Sequence, residues 1–269
     1  MTRLPGRLVL LGHPVAHSLS PVFQNAALRH LGIPLRYEAL DVPPEELTAA
    51  LDTLIAERAA GNVTLPHKER VAARCERLTA VARRVGAVNT FWVADDGALW
   101  GDNTDVGGFR RLLADTLPRE RVPRRVAVLG AGGAAAAVLA ALEEGAVPVT
   151  LYNRTAARAS ALQTRFPTVI HLARSAREAV HEADLVVNAS SVGLRDDAVP
   201  VAIELLDDDA VVLDLVYRPG GTAWVRAARA RGHIAADGLG MLLEQGALAF
   251  ERWLGVPAPR EVMRAAAVA

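Results

Sequence analysis

The chain has one lysine, Lys68; the other 29 of its 30 basic residues are arginine. It has one cysteine, Cys75, which excludes an internal disulfide and a cysteine-based zinc site and fits a reducing cytoplasm. Cys75 itself reads as a small packing residue on a helix. There is no excess of charge, with 30 basic against 30 acidic residues, so the basic field that nucleic-acid binding needs is absent. There is no long apolar run either. The stretch from Gly130 to Leu142 is too short and too rich in Gly and Ala to span a membrane. The opening Met1-Thr2-Arg3-Leu4-Pro5-Gly6-Arg7 lacks the apolar core and cleavage site of a signal peptide. His13 and His17 have no metal-ligand companions. Asp207-Asp208-Asp209 reads as a solvated turn, and no serine or cysteine nucleophile stands with a base. These absences lead to the expectation of a cytoplasmic protein with no nucleic-acid partner, no membrane and no metal; a homodimer is compatible with it.

The single lysine is the positive counterpart of these absences. Arginine stays protonated in proteins, whereas a lysine in a dry pocket can release its proton and serve as acid or base. Lys68 ends Gly61-Asn62-Val63-Thr64-Leu65-Pro66-His67-Lys68. Asn62 and Thr64 offer short polar side chains at a strand end, and Pro66 stops that strand before a helix. The segment reads as a substrate-facing shelf with a titratable amine at its edge.

The 269 residues are 51% hydrophobic, which suits one large or two modest domains with real cores. The first hundred residues alternate strand and helix. Arg7 to Leu11, Leu35 to Leu40 and Gly61 to Thr64 are predicted strands. A helix is expected from Pro21 to about Leu31 with Ser20 as its N-cap, another from Pro43 to near Gly61, and a third opening at Lys68. Asn89 to Val93 and Ala98 to Trp100 flank Asp95-Asp96-Gly97, a hairpin signature. A helix then follows from about Val106. Beyond a charged stretch, Pro118 to Arg125, short apolar strands at 126–129, 149–152, 185–187, 211–215 and 234–235 alternate with helical patterns. That is doubly wound α/β alternation. Two helices, from Met241 to Leu254 and from Pro259 to Ala267, close the chain.

Gly130-Ala131-Gly132-Gly133-Ala134-Ala135 follows a strand and opens a helix. There glycine permits a tight turn and the close approach of a pyrophosphate to the helix N-terminus. Folds that bind NAD place an acid about 20 residues further on for the ribose 2′-hydroxyl. This chain has Asn153-Arg154-Thr155 and Arg158 instead, which suits a 2′-phosphate and hence NADP(H). Asp105, in Asn103-Thr104-Asp105, is either a helix cap or the carboxylate that holds and tunes Lys68. Ser18 and Ser20 alternate in a loop and could grip an oxygen-rich ligand, or Ser20 could simply cap the helix.

Taken in this order, the segments Gly12 to Pro21, Gly61 to Lys68, Gly86 to Thr90, Asn103 to Asp105, Gly130 to Ala135, Asn153 to Thr155, Asn188 to Gly193, Asp214 to Pro219 and Asp237 to Gln245 resemble the shikimate dehydrogenase family. The resemblance spans nearly the whole chain. It implies two α/β domains: a substrate domain, 1–105 plus 238–269, and a Rossmann-type NADP domain, 106–237, with the C-terminal helices returning to the first. It implies crossings near Asp105 and Asp237 and a hinge whose closure excludes water. The implied activity is reversible NADPH-dependent reduction of 3-dehydroshikimate to shikimate, a step of aromatic amino-acid biosynthesis.

By the family pattern Lys68 and Asp105 form the catalytic pair. Ser18, Ser20 and Tyr217 bind the substrate carboxylate, while Thr64, Asn89, Asp105 and Gln245 bind ring hydroxyls and Asn62 lines the pocket. Gly130, Ala131, Gly132, Gly133 and Ala134 hold the pyrophosphate, and Asn153, Arg154, Thr155 and Arg158 the 2′-phosphate. Ser190, Val216 and Gly238 complete the cofactor site. The chain departs from the family in having Gln24 before Asn25, where histidine is usual. The rival readings are a quinate/shikimate dehydrogenase with relaxed substrate or cofactor use and a non-catalytic NADPH-binding regulator. A folate one-carbon dehydrogenase shares the two-domain plan and a lysine but lacks this set of motifs.

Overall fold

In the computed structural model, residues 4–119 and 121–269 are described. The expectations for Met1 to Arg3, and for Glu120 in the charged stretch, lie outside them. The chain forms two compact units: one from residues up to Gly108 together with Leu242–Ala269, the other from Phe109–Met241.

The first unit is a six-stranded mixed sheet. Its strands are β1 (Leu8–Gly12), β2 (Tyr37–Asp41), β3 (Ala60–Val63), β4 (Arg77–Leu78), β5 (Thr90–Val93) and β6 (Leu99–Asp102), in the order β2-β1-β3-β5-β6-β4. β1 pairs parallel with β2 and β3, while β5 runs antiparallel to β3 and β6. The antiparallel pair of β5 and β6 is the hairpin read at Asp95-Asp96-Gly97. Asp96 Oδ1 accepts the Ala98 N–H at 3.2 Å, and Gly97 takes a positive φ of 85°, as a tight turn demands. One face of the sheet packs Val9, Leu11, Val63, Val88, Phe91 and Leu99 against Leu51, Leu54 and Val71. Val9 and Leu11 alternate along β1, as Phe91 and Leu99 do across the hairpin, so a shift of one residue in pairing would turn them to the other face.

Helices α1 (Ser20–His30), α2 (Leu47–Ala56), α3 (Lys68–Arg74) and α4 (Ala80–Val85) fill the connections. The boundaries differ from the sequence expectation in informative ways. Ser20 is the first helical residue rather than the cap. Leu19 holds the cap position with no side-chain bond, and Ser18 Oγ accepts the Ser20 N–H at 3.2 Å. The second helix begins later than Pro43, because Pro44–Glu46 winds as a 3₁₀ turn first, a common helix entry. β4 has no counterpart among the expected strands.

The second unit has the strands β7 (Val126–Leu129), β8 (Val149–Tyr152), β9 (Val169–Leu172), β10 (Leu185–Asn188), β11 (Val211–Asp214) and β12 (Ala235–Ala236). All are parallel, in the order β12-β11-β10-β7-β8-β9. Strand order reverses at β7, where open α/β sheets bind ligands beyond the strand ends. Helices α5 (Asp105–Thr116), α6 (Gly133–Glu143), α7 (Ala156–Arg165), α8 (Ala176–Ala179), α9 (Ala223–Ala230), α10 (Leu239–Leu254) and α11 (Arg260–Val268) complete the chain. α5 and α10 carry the chain across the unit boundary. α11 packs on α1, so the C-terminal helices rejoin the first unit. Among the described residues no helix is long and apolar enough to cross a membrane.

Candidate active site

Lys68 is the first residue of α3, and the preceding loop fixes it. His67 is fully buried, with its Nε2 2.7 Å from the carbonyl of Val42. The Leu65–Pro66 peptide is cis, and the His13 N–H donates to Leu65 O at 2.9 Å, tying this loop to the one that follows β1. Gly61 is required at the start of the shelf: a Cβ there would lie 2.1 Å from Val9 O on the neighbouring strand.

The Lys68 amine donates to Asp105 Oδ2 at 2.6 Å, with side-chain exposures of 17% and 7%. Asp105 heads α5, and its N–H donates to Asn103 Oδ1 at 3.1 Å. Of the two roles that sequence left open, Asp105 is the lysine partner; it is the first residue of α5 rather than its cap, and its carboxylate accepts from Lys68 and Asn89. Its other oxygen accepts from Asn89 Nδ2 at 2.8 Å. Asn89 also donates toward Thr104 Oγ1 (3.0 Å) and Gln245 Oε1 (3.2 Å), and its own oxygen accepts the Thr104 N–H at 2.7 Å. Asn62 Nδ2 reaches Asn89 O at 3.2 Å and Gln245 Oε1 at 3.5 Å, while its oxygen accepts from Tyr37 OH at 2.8 Å.

One hydrogen-bond network therefore joins five predicted residues from distant parts of the chain: Asn62, Lys68, Asn89, Asp105 and Gln245. Thr64 is half-buried at the end of the shelf, its N–H donating to Leu11 O. Ser18 is half-buried and Ser20 buried, joined by the bond from the Ser20 N–H to Ser18 Oγ. Tyr217 is half-buried in the second unit, after β11. Gln24, the departure from the family pattern, is buried and donates to Gly246 O at 2.9 Å. Its neighbour Asn25 bonds the backbone of Tyr37 in both directions at 2.9 Å.

In the second unit the glycine turn lies between β7 and α6. Gly130 has φ 125° and sits so close to the β10 end that a Cβ would be 2.6 Å from Ala189 O. Any other residue would be strained there. Gly132 is the N-cap of α6 with no side-chain cap, and a Cβ on it would meet nothing within 4 Å. The first N–H groups of a helix have no intrahelical partner, and a start with no side-chain cap and room beside its glycine suits a pyrophosphate. At the end of β8, Asn153 Nδ2 donates to Thr155 O at 2.9 Å, and Arg154, Thr155 and Arg158 are exposed. No carboxylate stands in that segment. These residues fit an adenosine 2′-phosphate.

Sequence reasoning assigned no role to Asn188, Asp214 or Thr222, which form a network behind the other strand ends. Asn188 is buried; its Nδ2 donates to Asp214 Oδ1 at 2.8 Å, and its oxygen accepts from Ser190 N and Oγ. Asp214 Oδ1 also accepts the Val216 N–H at 3.1 Å, and Oδ2 accepts from Thr222 Oγ1 at 2.7 Å. The Gly238 N–H donates to Val216 O at 3.0 Å. So Ser190, Val216 and Gly238 are held by one framework. Burial pushes the Asp214 carboxyl above its ordinary value, against the bonds from Thr222, Val216 and Asn188. Burial does the same to Asp237. The signal available in sequence was the polar residue, Asn188 or Asp214, closing an apolar strand.

An amine held on a buried carboxylate in one unit, and an uncapped glycine-turn helix start in a doubly wound sheet in the other, are the parts of a nicotinamide-dependent oxidoreductase. Comparison with known proteins narrows this. The family models described as shikimate dehydrogenase substrate binding domain, shikimate/quinate 5-dehydrogenase, and shikimate 5′-dehydrogenase C-terminal domain match residues 10–91, 113–195 and 238–268. The chain is 47% identical over 267 residues to a shikimate dehydrogenase (NADP(+)) of Rubrobacter xylanophilus, covering 96% of this chain and 93% of that one. It is 46% identical over 253 residues to that of Methylocella silvestris, covering 92% and 90%. A crystal structure of shikimate 5-dehydrogenase from Thermus thermophilus, in complex with NADP(H) and shikimate, superposes with a TM-score of 0.87 at 43% identity, covering 97% and 98%. The chain belongs to the shikimate dehydrogenase family.

Proposed function

We propose that this protein catalyses the reversible NADPH-dependent reduction of 3-dehydroshikimate to shikimate, with Lys68 and Asp105 as the catalytic pair. The observation that carries the assignment is the 2.6 Å contact between the chain's one lysine and a nearly buried carboxylate, inside a network of amide side chains suited to ring hydroxyls. NADPH supplies the hydride in this chemistry. Lys68 supplies the proton to the substrate's ketone oxygen as the carbon is reduced, and takes it back in the reverse direction. Asp105 keeps the amine in place and balances its charge in a low-dielectric setting. Asn89 holds the second carboxylate oxygen, which resists rotation of Asp105 away from Lys68.

In this reading Thr64, Asn89, Asp105 and Gln245 address the ring hydroxyls, Asn62 lines the pocket, and Ser18, Ser20 and Tyr217 address the carboxylate. The first unit is the substrate domain. The second is the NADP domain: Gly130 to Ala134 hold the pyrophosphate and Asn153, Arg154, Thr155 and Arg158 the 2′-phosphate, with Ser190 and Val216 also in the cofactor site and Gly238 positioning the nicotinamide. The exposed arginine pair and the missing acid at the β8 end favour NADPH over NADH. A cytoplasmic enzyme supplying aromatic amino-acid biosynthesis accords with a chain that has one cysteine. NADPH oxidation by the purified protein with 3-dehydroshikimate, run beside NADH and beside 3-dehydroquinate, tests the reading. Turnover should be confined to 3-dehydroshikimate with NADPH. Equal rates with NADH or 3-dehydroquinate would favour the relaxed quinate/shikimate activity, and no turnover at all a non-catalytic regulator.

A further inference from the structure

Tyr37 belongs to none of the segments that carry the family resemblance, yet three elements converge on it. Its backbone N–H donates to Asn25 Oδ1 and its carbonyl accepts from Asn25 Nδ2, both at 2.9 Å, which ties it to α1. Its ring stacks on Trp253 of α10, centroids 6.0 Å apart at 26°. Trp253 is fixed in turn by a 2.9 Å bond from Nε1 to Thr90 Oγ1, and Thr90 Oγ1 donates to Gly61 O at 3.1 Å. The Tyr37 hydroxyl, on a residue only 1% exposed, donates to Asn62 Oδ1 at 2.8 Å. Burial holds this phenol well above its usual titration range, so it stays a donor.

The chemistry of Asn62 gives that one bond its importance. A primary amide presents an acceptor on one side and two donors on the other. The donor side of Asn62 faces two acceptors, Asn89 O and Gln245 Oε1. Turned over, its oxygen would face both of them, acceptor against acceptor. A hydroxyl donor on the other side selects the observed orientation. The choice propagates, because Gln245 Oε1 is shared between Asn62 Nδ2 and Asn89 Nδ2. Asn89 Nδ2 has two hydrogens and three acceptors in reach: Thr104 Oγ1, Asp105 Oδ1 and Gln245 Oε1. How strongly Gln245 competes for Asn89 affects how firmly Asn89 holds the carboxylate that carries Lys68.

We propose that Tyr37 is a positioning residue for the reaction: its hydroxyl fixes the orientation of the Asn62 amide, and through Gln245 and Asn89 the geometry of the Lys68–Asp105 pair. The inference rests on the functional reading above.

Tyr37→Phe, Asn62→Ala and the double variant test it by steady-state kinetics with 3-dehydroshikimate and NADPH. Tyr37→Phe keeps the ring on Trp253 and removes only the donor, leaving a buried acceptor unpaired. The KM for 3-dehydroshikimate should rise about 5- to 150-fold, the loss expected for one unpaired buried polar group, with the KM for NADPH held within about twofold. In the Asn62→Ala background the same substitution should have little further effect, since coupled residues are not additive. Side-chain amide NMR signals of Asn62 should shift in Tyr37→Phe.

An unchanged KM for 3-dehydroshikimate overturns the proposal, as does an effect undiminished in the Asn62→Ala background. Parallel losses for both substrates with a lowered Tm, or a variant that does not fold, would make Tyr37 a core tether only. A wild type inactive on 3-dehydroshikimate whose Asn62 signals still respond to Tyr37→Phe would sink the functional reading but leave the amide orientation standing.

Discussion

Replacing Lys68 by arginine separates the charge at this position from the proton. The amine lies 2.6 Å from Asp105 Oδ2, and the Asp105 side chain is 7% exposed. Lys68→Ala would remove the proton donor and also strand that carboxylate without a cation. Breaking a buried pair costs about 3–5 kcal/mol. The 17% exposure of Lys68 puts the loss at the lower end, about 3 kcal/mol, or a Tm drop of roughly 6–12 °C for a chain of this size. A fall in turnover for that variant would therefore mix chemistry with stability. Lys68→Arg keeps a cation within reach of Asp105, so its Tm should stay within about 3 °C of wild type. A guanidinium stays protonated and cannot act as the acid. General acid help is worth about 10²–10⁴-fold, or about 3–5 kcal/mol of barrier. The kcat of Lys68→Arg should therefore fall by at least about 100-fold, the lower bound for lost acid help, with NADPH binding by fluorescence titration close to wild type. NADPH absorbance measures the turnover and calorimetry the Tm. If Lys68→Arg retained more than about a tenth of wild-type kcat, well above that bound, positive charge alone would suffice and the proton-transfer role would be wrong.

Arg154→Ala with Arg158→Ala should raise the KM for NADPH about 10-fold per arginine, as for lost charge-assisted phosphate contacts, and leave the KM for NADH unchanged. An equal rise for both cofactors would rule out 2′-phosphate recognition. Burial pushes the Cys75 thiol up to about 12. A disulfide reagent at about pH 8 should then leave the native protein unmodified and label its single thiol on unfolding; rapid labelling of native protein would contradict this. For Asp214, held above its ordinary value by burial, the native state binds its proton more tightly than the unfolded chain. Folding therefore disfavours the ionised form, and the stability of wild type relative to Asp214→Asn should fall as pH rises from about 4, the ordinary carboxyl value of the unfolded chain, through the raised native one, and then level off. Denaturant melts across that range measure it, and a flat difference would refute it.

Much of this was legible in the sequence, and the misses have physical causes. The strand–turn–helix at 126–143 could be read because glycine chemistry and an apolar run coincide there. The hairpin could be read because Asp95-Asp96-Gly97 specifies its turn locally. β4 (Arg77–Leu78) and β9 (Val169–Leu172) escaped because one is two residues long and both are outer strands of their sheets, where exposed positions blur the apolar signal. Ser20 does not act as the cap because the helix starts one residue earlier than expected, which makes Ser20 its first residue and puts Leu19 at the cap position. The pairing of Lys68 with Asp105 lies across 37 positions, so spacing could not supply it and family resemblance did. Tyr37 was invisible as anything but a strand residue, since its importance comes from what Asn25, Asn62 and Trp253 do around it.

The first unit is assembled from both ends of the chain, with Phe109–Met241 inserted between them. On a ribosome the inserted sheet is a contiguous stretch that can complete itself while synthesis continues, since domains fold as units in order of emergence. The first unit has to wait. Gln245 and Trp253, which close its polar network, are made about 140 residues or more after Asp105, and later still after Lys68. Until they emerge, the carboxylate and the amine have no enclosing helix. A truncated product could therefore carry a finished nucleotide fold and still be unable to commit the cofactor's hydride, so competence arrives only with the last helices.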